Sequence, residues 1–225
     1  MKKFAITVFS SLLLLISSAN SNAGLLLNGS FEAQDIGPSQ FLSVDASLVD
    51  DWQTTASDNK IEVWNNGFQG VNAFNGKQHV ELNANESSTL FQDVSGIASG
   101  SLLDFFFAHR ARAHWDSQVD PNSVFDEMQL SISDVVTGSI LFSQNYRTGL
   151  EWQLYTGNDV ATATGNTLRF AYTSINTATG DNTIGNFLDY VGFGTNLVEV
   201  PEPSSIALLA LGLLGLSSRK LRKIK

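Results

Sequence analysis

"TLRFAYTS", residues 167–174, decides how this chain is read. Leu168, Phe170 and Tyr172 alternate with Arg169, Ala171 and Thr173. Apolar side chains two residues apart share one face of an extended strand, whereas a helix needs them three or four apart. The period recurs along the chain. "MQLSIS" (128–133) sets Met128, Leu130 and Ile132 against Gln129, Ser131 and Ser133. "IEVW" (61–64) sets Ile61 and Val63 against Glu62 and Trp64, and "QHVELN" (78–83) sets Val80 and Leu82 against His79 and Glu81. Between such runs, "NNGFQG", "FNGKQ", "SGIASGS" and "TATGDNTIGN" supply the Gly and Asn that accept positive φ in turns. "DSQVDPNSVFDE" (116–127) reads as a long acidic loop ahead of the Met128 strand. Strands with one apolar face call for two layers packed face to face. The expected fold is therefore all-β, a two-layer antiparallel jelly-roll β-sandwich of about eight or more strands.

The two ends are of another kind. "MKKFAITVFSSLLLLISSANSNAG" (1–24) opens with Lys2 and Lys3, continues with an apolar core from Phe4 to Ile16, and ends with small residues at Ser21 and Ala23. That order is read as a signal peptide over 1–23, cut by signal peptidase before Gly24; its apolar core is short for a permanent span. The sandwich is assigned to 24–197, enough chain to bury a core without staples. No cysteine occurs anywhere, which rules out disulfides, thiol catalysis and cysteine-ligated metals. From Gly24 to Val200 there are six Lys+Arg against 21 Asp+Glu, a formal net charge of −15. Such a surface repels nucleic acid and anionic lipid. It suits hard cations such as calcium, and it also simply keeps an exported domain soluble.

"LLLNGSFE" (25–32), Trp52, "GKQHVELNANESSTLFQDV" (76–94), "LLDFFFAHRAR" (102–112) and "FLDYVGF" (187–193) follow one another in a suggestive order. Together they resemble the galactose-binding-like jelly rolls, which include many carbohydrate-binding modules. In that group a structural calcium often joins the first and last strands. The resemblance implies Glu32 and Asp189 as its carboxylate ligands, with backbone carbonyls completing the shell. The alternative is that both carboxylates only cap or hydrogen-bond strand ends.

"AHRARAHWD" (108–116) gathers His, Arg and Trp. On an extended strand Arg110, Arg112 and His114 share one face, and His109 and Trp115 the other. One reading is a sugar or anion site, with Arg110 and Arg112 hydrogen-bonding and Trp115 stacking on a ring. The other is that the arginines pair with acidic neighbours on an adjacent strand. Trp64 and Trp152 face the same choice between binding platform and core. Catalysis finds little support: Gly-x-Ser-x-Gly, His-Glu-x-x-His and P-loop motifs are all missing. Paired acids carry no weight in a segment this acidic. The expectation is a non-catalytic protein, with a glycan-active hydrolase as the outlying alternative.

"VEVPEPSSIALLALGLLGLSSRKLRKIK" (198–225) closes the chain. Pro201 and Pro203 stop any strand. The apolar run from Ile206 to Leu216 is short for a bilayer of about 30 Å, and Gly212 and Gly215 weaken it as a settled helix. Arg219, Lys220, Arg222, Lys223 and Lys225 belong on the cytoplasmic side, which puts the sandwich across the inner membrane. Motif, apolar run and basic end together closely resemble the PEP-CTERM sorting signal of Gram-negative bacteria. The resemblance implies recognition of Pro201, Glu202 and Pro203 by exosortase, a membrane-embedded protease-transpeptidase. It further implies a transient transmembrane tether and delivery to the cell surface or extracellular matrix, in organisms that make extracellular polysaccharide. The combined expectation is an exported protein that binds polysaccharide, or a structural surface protein without sugar affinity.

Overall fold

The computed structural model describes residues 25–38, 40–112, 125–195 and 197. They form β1 (Phe41–Asp45), β2 (Gln53–Thr54), β3 (Lys60–Asn65), β4 (Gln78–Glu81), β5 (Thr89–Ser95) and β6 (Leu102–Arg110). There follow β7 (Asp126–Asp134), β8 (Ile140–Thr148), β9 (Gln153–Thr162), β10 (Thr167–Asn176) and β11 (Phe187–Gly194). One 3-10 turn, Ala46–Leu48, follows β1. The strands make a six-stranded sheet, β1-β3-β4-β11-β6-β9, and a five-stranded sheet, β2-β5-β10-β7-β8. The pairings are antiparallel, and from β5 onward the chain repeatedly crosses from one sheet to the other. This is the two-layer antiparallel sandwich that the alternating runs predicted. The expected signal peptide, residues 116–124 of the expected acidic loop and the C-terminal apolar segment lie outside the described residues, and β7, beginning at Asp126, takes in the last two residues of that loop.

The predicted apolar faces meet in the core. Leu168, Phe170 and Tyr172 of β10 and Met128, Leu130 and Ile132 of β7 are fully buried, with Ile132 opposite Phe170 and Leu130 opposite Tyr172. Across the layer, Phe107 meets Tyr172 edge-on with ring centroids 5.1 Å apart, and Phe193 stacks on Phe170 at 4.6 Å. Such offset and edge contacts are the arrangements that aromatic rings prefer.

The Asn-Gly-x-Phe-Glu stretch has a local reason. Residues 25–29 run against β11, Leu25 N–H donating to Phe193 O at 2.8 Å and Val191 N–H to Gly29 O at 2.8 Å. A Cβ on Gly29 would lie 1.9 Å from Val191 O, so only glycine lets the backbones approach this closely. Phe31 then turns into the core against Trp52, whose indole N–H donates to Asn28 O at 3.0 Å.

The two ends of the sandwich differ. At one end Asp126, completely buried, accepts the backbone N–H groups of Arg112, Ala178 and Asn186. Asn186 in turn holds His109 Nε2 at 2.9 Å and donates to Asn83, Ser174 and Asn176 O. His109 thus faces inward, opposite in parity to Arg110, as the strand reading required. The other end, where residues 25 and 197 leave the sandwich, is built from the turns 95–102, 135–140 and 161–166.

Candidate ligand-binding face

Strand register sets which side chains share the outer face of the six-stranded sheet. Trp64 is opposite His79, Glu62 opposite Glu81, Glu81 opposite Phe187, and Phe187 opposite Arg110. The chain between β3 and β4 folds back over them. Phe68 packs on Trp64 at 4.6 Å, and Phe41 of β1 stacks on Phe68 at 5.3 Å. Asn72 O accepts the Trp152 indole N–H at 2.7 Å. Phe74 lies 5.6 Å from Tyr190, which lies 4.8 Å from Phe106. A bulge in β11 between Asp189 and Gly192, with Tyr190 at φ 49°, turns that tyrosine toward Phe106. The result is a band of rings across the sheet. Its outer members, Phe41 and Phe74, are exposed; Trp64 and Phe187 are enclosed.

Charge is concentrated beneath the middle of the band. Arg112 places its guanidinium 4.5 Å from the Trp64 ring centroid and donates from Nη1 to both oxygens of Glu81, at 2.7 and 2.5 Å. Gly185 N–H adds a third bond to Glu81 Oε1 at 2.7 Å. Burial pushes the Glu81 carboxyl up while Arg112 pulls it down. One Nη1 shared between both carboxylate oxygens is the charge-assisted geometry of an ion pair. Glu62 accepts the Trp64 indole N–H at 2.6 Å. His79 stands edge-on to Trp152 and Phe187, at 5.5 and 4.8 Å, with neither ring nitrogen partnered among the described residues. Burial drops its pKa to about 3, so it is neutral at ordinary pH.

Beside the Phe41–Phe68 stack an open cleft of about 500 Å³ is lined by Pro38, Gln40, Asn65, Asn66, Phe68 and Lys77. It combines an aromatic wall with amide and ammonium groups. Asn66 is already oriented, accepting Ala73 N–H and donating to Gly76 O.

The arginines and Trp64 of the sequence reading therefore converge on one face. Arg112 pairs with an acid, though two strands away rather than on the adjacent one. Arg110 is half-buried, and Glu151 counters the lowering of its pKa by burial. Trp64 is 1% exposed, its ring faced by Arg112 and its N–H held by Glu62, so here it braces the face from below. Phe41, Phe68 and Phe74, which sequence reasoning did not select, form the accessible part; isolated phenylalanines beside turns gave no sign of it. Trp115, Pro201, Glu202 and Pro203 lie outside the described residues.

Glu32 and Asp189 come together around the turn before β4. Glu32 Oε1 accepts Lys77 N–H at 2.6 Å and Gln78 N–H at 2.7 Å; Asp189 accepts Asn75 N–H at 2.8 Å and Tyr190 N–H at 2.6 Å. Burial, with a smaller push from Glu32, raises Asp189 to about 7. Two carboxylates supply charge for a calcium ion, yet calcium takes 6 to 8 oxygens. No group of three or more metal-capable side chains occurs among the described residues. Carbonyls or water would have to make up the shell.

Comparison with known proteins adds one decisive match. Residues 199–223 match the PEP-CTERM protein-sorting motif. This chain carries that motif. No curated protein matches the chain. Among solved structures, TmCBM61 in complex with beta-1,4-galactotriose is similar at 15% identity and a TM-score of 0.48, covering 77% of this chain and 99% of that one. A family 35 carbohydrate binding module from Clostridium thermocellum is 14% identical at a TM-score of 0.40, covering 70% and 99%. The N-terminal cellulose-binding domain of Cellulomonas fimi beta-1,4-glucanase C is 14% identical at 0.42, covering 75% and 100%.

Proposed function

We propose that the chain is a non-catalytic surface or extracellular-matrix protein, exported, sorted by exosortase, and holding polysaccharide on the outer face of its six-stranded sheet. The sorting half rests on the motif at 199–223. In it, signal peptidase removes 1–23, the C-terminal segment tethers the protein transiently in the inner membrane, and exosortase acts at Pro201–Pro203. Comparing the mature mass of wild type and Glu202→Ala in an exosortase-bearing host tests this. A wild type that keeps its tail in the envelope overturns it.

The binding half rests on one observation: an aromatic band opening beside a cleft of amides and a lysine. Sugar rings offer C–H faces to aromatic rings and hydroxyls to amides, so this combination matches both halves of a pyranose. Phe68→Ala is expected to weaken glycan binding by roughly two- to tenfold, the worth of one aromatic contact. A glycan array reads it. Silence across the array leaves the purely structural protein as the better reading. Hydrolysis is disfavoured because the adjacent carboxylates Glu62 and Glu81 are buried and already engaged by Trp64 and Arg112.

A calcium ion held by Glu32 and Asp189 belongs to the same proposal, supported by the buried Asp189 charge beside Glu32. It would clamp the N-terminal segment to β11. A melting temperature that is unchanged by a chelator removes the ion from the reading.

A further inference from the structure

The end of the sandwich from which the chain leaves has a surface unlike the rest. The turns 95–102, 135–140 and 161–166 contain no Asp, Glu, Lys or Arg, in a segment whose formal net charge is −15. They are joined: Gly100 N–H donates to Ala163 O at 2.8 Å, Ile97 N–H to Asn166 O at 3.1 Å, and Val135 N–H to Thr167 O at 3.1 Å. Two carboxylates at their base, Asp134 and Asp104, are buried and turned inward. Asp134 accepts Val136 N–H, Thr137 N–H and the Thr164 hydroxyl; Asp104 accepts Asp159 N–H and Leu197 N–H. Exposed Asp159 on one side, and exposed Asp51 and Asp93 in the cleft beside Leu25 on the other, mark where charged surface resumes. Large apolar side chains project from this end: Val136 is 86% exposed and Ile140 70%, with Leu25, Leu102 and Val135 also exposed.

Both terminal apolar segments of the sequence are continuous with this end. Leu25 is paired to Phe193 O, and Leu197 is clipped to Asp104 Oδ2 at 2.9 Å. The apolar run begins at Ile206, nine residue steps beyond Leu197. Fully extended they span at most about 30 Å, close to the length of one ten-residue strand such as β9. A leash that short favours the end from which it starts over the far end as the one nearest the bilayer.

We propose that this uncharged end docks on the lipid surface of the membrane that holds the C-terminal segment. Val135, Val136 and Ile140, at the β7–β8 turn, enter the headgroup region together with Leu25 and Leu102. The inference rests on reading residues 206–216 as lodged in the bilayer. Apolar side chains gain by leaving water at a lipid interface, and stretches without charge avoid the heavy cost of desolvating ions. The acidic flanks are repelled from anionic lipid, which leaves this end as the approach. Docking also serves sorting. Pro201 follows Leu197 by four residues, so it stays within about 13 Å of the docked surface, where a membrane-embedded protease works.

The absence of cysteine makes the test direct, since one introduced thiol can be labelled in the full chain. Val136→Cys, Thr179→Cys at the opposite end, and Leu211→Cys in the apolar run each receive a solvent-sensitive fluorophore. The proteins are reconstituted into phosphatidylethanolamine–phosphatidylglycerol vesicles and titrated with an aqueous quencher. The expected result is several-fold protection at Leu211 and Val136 relative to Thr179. Adding Val135→Asp and Ile140→Asp should abolish it at Val136 and leave it at Leu211, with an unchanged circular dichroism spectrum. Val136 as accessible as Thr179 while Leu211 is protected overturns docking alone. Leu211 accessible overturns the bilayer reading, and docking falls with it.

Discussion

The outer faces of the two sheets start from the same alternating pattern and end as different surfaces. On the five-stranded sheet the polar positions stay near water and pair across strands. Thr89 bonds Thr173 at 2.8 Å, Ser95 bonds Thr167 at 3.1 Å, and Gln129 donates to Asn145 at 3.1 Å. On the six-stranded sheet the corresponding positions are Glu62, Trp64, His79 and Glu81, all less than 9% exposed. The difference comes from what lies above. Residues 66–76 fold back and put Phe68 and Val71 on Trp64 and Phe187, and Arg112 reaches across to Glu81. Polar residues in one face of a strand therefore mean solvent in one sheet and a buried ion pair in the other.

Removing Glu81 should break that comparison with the largest effect. Glu81→Ala leaves the half-buried Arg112 guanidinium and Gly185 N–H without their acceptor. Breaking a buried pair from one side costs about 3–5 kcal/mol, mostly the uncompensated charge left behind. Urea unfolding would read it. A loss below 1 kcal/mol, as for a surface pair, would mean that Arg112 reaches water and that the two faces are alike.

An intermediate effect is expected at His79, and it has a pH signature. Both ring nitrogens are buried without partners among the described residues, so His79→Phe should hold or raise stability at neutral pH by about 1 kcal/mol. A histidine with a folded pKa near 3 and an unfolded value of 6.5 contributes stability above pH 6.5. That contribution is lost as pH falls toward 3, because the unfolded chain takes up the proton first, with a slope of about 1.4 kcal/mol per pH unit. His109, also near 3, behaves alike, while Asp189, raised to about 7, slopes the other way. Only the difference between the wild-type and His79→Phe curves isolates this residue. Parallel curves between pH 6.5 and 4 would show that His79 is hydrated.

The contrast also explains what was legible in the sequence. Leu168, Phe170 and Tyr172, or Met128, Leu130 and Ile132, announce a buried face because period two is local information. Gly29, Phe31 and Trp52 were legible as a resemblance, and their packing gives its physical cause. The pairing of Arg112 with Glu81, 31 residues away, depends on sheet order β3-β4-β11-β6, which alternation does not encode. Nor does alternation say whether a turn such as "NNGFQG" merely reverses the chain or, through Phe68, roofs a face. The accessible rings stayed hidden because each is single in its own segment. The uncharged end of the sandwich was hidden likewise, its three turns being far apart along the chain.

The smallest effect is expected on the open face of the five-stranded sheet. Arg169 and Asp93 form an ideal fork, Nε to Oδ1 at 2.7 Å and Nη2 to Oδ2 at 2.9 Å, with the guanidinium 3.9 Å over the Phe91 ring. By distances alone it rivals Arg112–Glu81. The Arg169 side chain, however, is 39% exposed and that of Asp93 27%. Water already solvates both charges, so forming the pair gains little and breaking it strands neither. A double-mutant cycle of Arg169→Ala and Asp93→Ala should give a coupling of at most about 1 kcal/mol, shrinking in high salt. A coupling of several kcal/mol, insensitive to salt, would show that geometry rather than burial sets the worth of these pairs. The two outer faces would then differ in shape alone.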